Sequence, residues 1–358
     1  MSASNHSSLG NKPPISYKAL IMAVIFLLIA LAGLSYVKWW PYYHKAIKAA
    51  TEHSIGSSIL TGDQATGPDP SIQAAWDYAA GYFKSVWKAA VLGILLGSLV
   101  QVLLPSQWLF RVLGKANFKS TALGGLASLP GMMCTCCAAP IAVGLRKKNV
   151  SVGASLAFWL GNPVLNPATL IFMTFVLSWK FTLMRLGFGL ILTFAVSYFA
   201  ERFAGKSEIP ETVVETVNTT VEPEGSLLLR WIRNVRSMSL TVIPAYFLSV
   251  LLLGGARAWM FPALGEGAMN GILAVIIFTI AGTLFVIPTA AEIPIIGTFL
   301  SFGFGTGVAG ALLVTLPTIS LPSLLMVYRS YPRRVVWFVF FSVIWLGLLS
   351  GLVGSFIL

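Results

Sequence analysis

Five windows of this sequence carry no charged residue: 19–37, 120–145, 149–179, 293–328 and 335–358. A helix needs about 20 mostly apolar residues to cross the hydrocarbon of a bilayer. A soluble core is also apolar, but its helices turn a polar face to water and do not keep windows this long free of charge. Charged residues make up only 10% of the 358, against about 25% in a soluble domain. The expected fold is an all-α integral membrane protein, a multi-pass helical bundle. Spans are expected near 19–37, 88–105, 151–178, 181–200, 237–255, 305–328 and 335–357, with less regular segments at 120–145 and 270–302.

The first window is too long for the 7–15-residue core of a signal peptide. It runs into Lys38-Trp39-Trp40-Pro41-Tyr42-Tyr43, a pattern of lysine and aromatics that marks a membrane interface, so it reads as a retained helix. The net charge of +12 comes mostly from residues flanking apolar windows, where it sets orientation and meets lipid headgroups. No basic stripe with interleaved aromatics is present, so nucleic acid is not an expected partner. Residues 39–80 read as an extramembrane loop and 201–229 as a polar connector with six glutamates. The connector contains Gly205-Lys206-Ser207, but Ala200 stands where a phosphate-binding loop needs its first glycine, which excludes an ATP site. The expected organisation is an N-terminal helix and loop at 1–80, a first transmembrane repeat at 81–200, a connector at 201–236 and a second repeat at 237–358.

A shift of 154 positions places Pro140 on Pro294, Gly153 on Gly307, Ala157 on Ala311 and Pro163 on Pro317. Each half then reads as a helix, a Pro-broken apolar segment, a Gly/Ala-rich helix with a Pro pair, and a final helix. Internal duplication is a common way to build secondary transporters. If 120–145 enters and leaves on one side, 16 of the 24 basic residues fall on the cytoplasmic side; a full crossing removes that bias. The positive-inside rule therefore favours re-entrant segments and inverted repeats.

Chemistry concentrates at the breaks. All three cysteines lie in Met132-Met133-Cys134-Thr135-Cys136-Cys137, between Pro130-Gly131 and Pro140. Thiols and thioethers suit soft metals and trivalent metalloids, so Met133, Cys134, Cys136 and Cys137 are candidate ligands. The cluster reads as Cys-x-Cys with an adjacent third thiol, with neither a Cys-x-x-Cys pair nor a histidine, which argues against a structural zinc site. Gly161-Asn162-Pro163-Val164-Leu165-Asn166-Pro167 places two amides and proline-freed carbonyls in an apolar helix, so Asn162 and Asn166 are candidate pathway residues. The second break contains Pro288, Thr289, Glu292 and Pro294. Glu292 is the only acidic residue in an expected membrane segment, and a carboxylate there is expensive enough to imply a role: coupling proton or partner of a basic residue. Thr289 is a candidate substrate contact; Glu292, Pro140, Pro163, Pro294 and Pro317 are candidate coupling or gating positions.

The run from Cys134 to Lys148, with Gly153-Ala154-Ser155-Leu156-Ala157-Phe158 and Asn162–Pro167, resembles the predicted-permease family that includes the organoarsenical efflux permeases. Ile287-Pro288-Thr289-Ala290-Ala291-Glu292-Ile293-Pro294 is similar to the same family, and the likeness spans roughly 85–355. The family pattern has glycine where this chain has Cys137. The resemblance implies a multi-pass secondary permease of the prokaryotic cytoplasmic membrane, and some members export trivalent methylated arsenicals. The implied partners are a small-molecule or ion substrate and membrane lipids, with homo-oligomerisation left open and no bound cofactor implied. A membrane thiol–disulfide oxidoreductase and a non-transporting subunit of a membrane complex are the alternatives.

Overall fold

In hydrocarbon each backbone N–H and C=O must be satisfied within its own segment, so uncharged windows become helices. The computed structural model describes residues 17–60, 68–204, 226–262 and 271–358. Gly205-Lys206-Ser207, most of the polar connector and the turn-rich 61–67 lie outside the described residues. Among the described residues, seven helices are long and apolar enough to cross a membrane: Leu20–Glu52, Ile72–Leu103, Val152–Val176, Trp179–Phe203, Leu227–Met260, Thr306–Val327 and Arg333–Ile357. The protein is an all-α multi-pass membrane protein.

The N-terminal helix joins α1 (Tyr17–Leu34) to α2 (Trp40–Glu52) through a π-helical turn, Ser35–Trp39. It is followed by α3 (Ile72–Leu103), α4 (Ser106–Leu113), α5 (Phe118–Ser128), α6 (Thr135–Lys147), α7 (Val152–Val164), α8 (Pro167–Val176), α9 (Trp179–Leu190) and α10 (Ser197–Phe203). The second set is α11 (Leu227–Met260), α12 (Ile272–Leu284), α13 (Glu292–Ser301), α14 (Thr306–Thr318), α15 (Leu321–Val327) and α16 (Arg333–Ile357). Moved by 154 positions, α7 falls on α14 end to end, and α5, α8 and α9 start on the first residues of α12, α15 and α16. The element order thus repeats with the spacing seen in the sequence.

The expected 39–80 loop is mostly helix. Trp40 to Glu52 continues the first helix, and Pro41, which has no N–H to give the preceding turn, directly follows the π-helical turn. α3 begins at Ile72, with the Ser71 hydroxyl capping its Ala74 N–H. Exposed Leu20, Val24, Leu27 and Leu28 give α1 a lipid-facing surface.

Small residues bring the central helices into backbone contact. Gly93 and Gly97, four apart on α3, lie against the carbonyls of Cys137 and Pro140 on α6, and Gly144 of α6 lies against the Gly97 carbonyl. A Cβ at Gly93 would overlap the Cys137 carbonyl oxygen. This is the close small-residue packing that holds helices together where lipid removes the hydrophobic drive between them.

Candidate functional site

Two breaks in helical structure face each other at the centre. The first runs from the 3₁₀ turn Leu129–Gly131 to Cys134, which is extended and precedes α6. The second is the non-helical stretch from Phe285, which is extended, to Pro288, then a turn leading into α13. Met132 (φ 49°) and Ala290 (φ 69°) hold left-handed backbone at these breaks. Such conformations cost about 1–3 kcal/mol at a non-glycine residue and persist where surrounding structure imposes them.

Local bonding explains how the breaks are held. Asn162 accepts the Met133 N–H at 3.4 Å and donates to the Phe158 carbonyl at 2.8 Å. Trp39 donates its indole N–H to the Pro130 carbonyl at 2.9 Å, and Lys38 donates to Thr289 Oγ1 at 3.3 Å and to the Tyr42 hydroxyl at 3.0 Å. The π-helical turn therefore touches both breaks. This corrects the reading of Lys38 and Trp39 as interface anchors: Lys38 is buried, and both side chains bond inward to the breaks. π-bulges are often found at functional sites. Tyr78 of α3 donates to the Val286 carbonyl in the second break.

The cysteines follow the first break rather than forming it. Cys134 occupies the N-cap position of α6, and Cys136 and Cys137 lie in its first turn. The Cys134 and Cys137 sulfurs are 2.8 Å apart, whereas Cys136 turns toward Ser320 Oγ at 3.4 Å. Cys134-Thr135-Cys136-Cys137 is thus a Cys-x-x-Cys pair with a separate third thiol, which corrects its reading as Cys-x-Cys. The three sulfurs do not converge, and among the described residues no group of three or more His, Cys, Asp or Glu is arranged to hold a metal ion. All three cysteines are buried and free.

Glu292, the first residue of α13, pairs with Arg185 of α9, Nη1 to Oε1 at 2.8 Å; both side chains are 2% exposed. Arg185 went unremarked in the sequence because it stands near the start of an apolar window and counts there as a flanking charge. The remaining donors of its guanidinium satisfy backbone carbonyls that the chain leaves open. Pro167 has no N–H to offer Pro163, whose carbonyl accepts Nη2 of Arg185 at 2.7 Å. Pro317 has none to offer Leu313, whose carbonyl accepts Nη1 at 3.3 Å. Asn166 takes the Ala168 N–H into its own cap, and the Val164 carbonyl accepts Nε at 3.2 Å. The freed carbonyls expected at these prolines are present and closed by one arginine.

A narrow pocket of about 10 Å³ is lined by Cys134, Thr135 and Pro163 from the first set and by Ile287, Pro288, Thr289, Ala290, Glu292, Leu316, Pro317 and Ser320 from the second. That is close to the space of a single water. The structure brings Cys134, Pro163, Thr289, Glu292 and Pro317 together in its wall. Pro294 lines a neighbouring cavity instead, and Met133, Cys136, Cys137 and Pro140 are not in that wall. Asn162 and Asn166 are buried outside it as well, one bracing the first break and the other capping α8. The amide nitrogen of Asn166 has no hydrogen-bond partner.

A bundle with broken helices and a pocket between two similarly ordered sets of helices is the arrangement on which membrane permeases are built. Residues 71–356 match the family described as predicted permease, and the chain belongs to that family. It is 50% identical over 313 residues to the UPF0718 protein YraQ of Escherichia coli (strain K12), covering 87% of this chain and 89% of that one. It is 24% identical over 255 residues to the UPF0718 protein YcgR of Bacillus subtilis (strain 168), covering 69% and 85%. No solved structure matches the chain significantly.

Proposed function

We propose that the chain is a secondary permease of the prokaryotic cytoplasmic membrane that moves a small, soft, thiol-reactive substrate, such as a trivalent arsenical or a related metalloid, soft-metal or sulfur species. One observation carries this reading: the Cys134 thiol, paired with Cys137, opens on a pocket whose other wall is the second break. Two adjacent thiols are a bidentate soft ligand. The pocket is too small for such a substrate as it stands, so entry requires the two sets of helices to move apart. In this reading the repeats are inverted and the breaks re-entrant. The Arg185–Glu292 pair ties the sets together, and its opening and closing accompany alternating access. Thr289 contacts substrate, and Pro163 and Pro317 flex where their helices end.

The test is uptake into sealed proteoliposomes over trivalent arsenicals, soft metal ions and small sulfur compounds. Accumulation of at least one, lost on replacing Cys134 and Cys137 by Ser, supports the reading. No movement of any of them by the wild-type protein removes it.

The Cys-x-x-Cys spacing at a helix N-terminus also favours a second reading, a thiol–disulfide oxidoreductase, because that position stabilises a thiolate. Reduction of a disulfide substrate by the purified, pre-reduced protein, without vesicles, would support it over transport.

A further inference from the structure

Beside the narrow pocket lies a second, larger cavity of about 580 Å³. Four lysines line it: Lys38 and Lys45 from the N-terminal helix, Lys84 and Lys88 from α3. Among the described residues no carboxylate lines it, and none of the four lysines makes an ion pair. Lys88 lies over the rings of Tyr36 and Trp87, which leaves its charge uncancelled. Pro288, Thr289 and Ala290 belong to the walls of both this cavity and the narrow pocket. Lys38, bonded to Thr289, stands at the junction.

Four cations around one cleft concentrate positive potential there and raise the local concentration of anions. Lysines that only met lipid headgroups would lie along the bilayer surface. Lys38 instead is 5% exposed and reaches inward to the second break. We infer that this cavity is an antechamber for an anion, and that the permease substrate is a small anion carrying a soft, thiol-reactive atom. The lysines receive its charge, and its soft atom passes Thr289 to meet Cys134. The inference rests on the permease reading and adds the charge of the substrate to it. An inorganic sulfur anion such as thiosulfate, with charged oxygens at one end and a soft sulfur at the other, has this chemistry.

The experiment is a binding titration of the full chain in phosphatidylcholine nanodiscs with thiosulfate, alongside the neutral arsenical phenylarsine oxide. Wild type should bind thiosulfate. The double variant Lys45→Gln/Lys84→Gln should bind it at least about tenfold more weakly, the loss expected on removing charge-assisted hydrogen bonds. Lys45→Arg/Lys84→Arg should retain binding. Equal affinity in wild type and the Gln variant overturns the inference. Binding of phenylarsine oxide without thiosulfate also overturns it while leaving the permease reading in place; binding of neither overturns the inference and leaves the permease reading to the uptake test. If phosphatidylglycerol in the disc abolishes thiosulfate binding, the lysines hold lipid headgroups and the antechamber falls.

Discussion

Arg185 and Glu292 stand 2.8 Å apart in the interior, one on each set of helices, and each is the other's only charged partner among the described residues. Removing one member of a buried pair leaves the other uncompensated, at a cost of about 3–5 kcal/mol. Glu292→Gln should therefore lower the yield of monodisperse protein and its melting temperature. Arg185→Met should lower them further, because it also abandons the carbonyls of Pro163, Val164 and Leu313. Normal yield for both variants, with normal pH-dependent transport, would show the pair to be dispensable.

The thiols should separate by position. Cys134→Ser and Cys137→Ser should each reduce transport to background, since a hydroxyl is a much harder ligand. Cys136→Ser should keep most activity, because its sulfur faces Ser320 rather than the other two. Uptake in proteoliposomes, with membrane levels measured by immunoblot, checks the order. Equal loss in all three would return Cys136 to the site.

Lys119 and Arg146 flank the first broken segment. If that segment is re-entrant, single cysteines placed at 119 and 146 in a background without native thiols will label from the same, cytoplasmic side. Labelling from opposite faces would exclude the inverted arrangement.

Gly93 fixes how closely α3 approaches the cysteine-bearing helix. Gly93→Ala pushes a methyl into the Cys137 carbonyl, backbone that cannot rotate away. Overpacking of this kind costs about 1–3 kcal/mol. Gly81→Ala, on the same helix with open space around it, is the control and should behave as wild type. Thermal denaturation in detergent distinguishes them; equal melting temperatures would mean that α3 shifts to accommodate the methyl.

The seven spans were legible because each expresses one simple quantity, apolar length without charge. The repeat was legible because proline and glycine mark backbone events that recur where the fold recurs, as Pro163 and Pro317 do inside α7 and α14. Lys38, Trp39 and Arg185 were not. A basic residue or tryptophan beside an apolar window looks the same whether it meets headgroups or turns inward, and only the tertiary partner tells the two apart. Asn162 and Asn166 read as pathway residues, but sequence alone does not say whether their partners are substrate or backbone, and the bonds they make are to backbone. Cys136 hid the pairing of its neighbours, since two overlapping spacings fit one run of residues and only the helix turn chooses between them.

The bonding around Arg185 has an evolutionary consequence. Pro167 and Pro317 each leave a carbonyl open, and the same guanidinium answers both across the two sets of helices. Substituting Pro317, which lies inside α14, by a residue with an N–H would restore an ordinary helical bond and leave the arginine with less to satisfy. Substituting the arginine would strand both carbonyls at once. Changes at positions 167, 185 and 317 should therefore be inherited together, and in an alignment of relatives these three columns should vary as a group although they lie far apart in the chain.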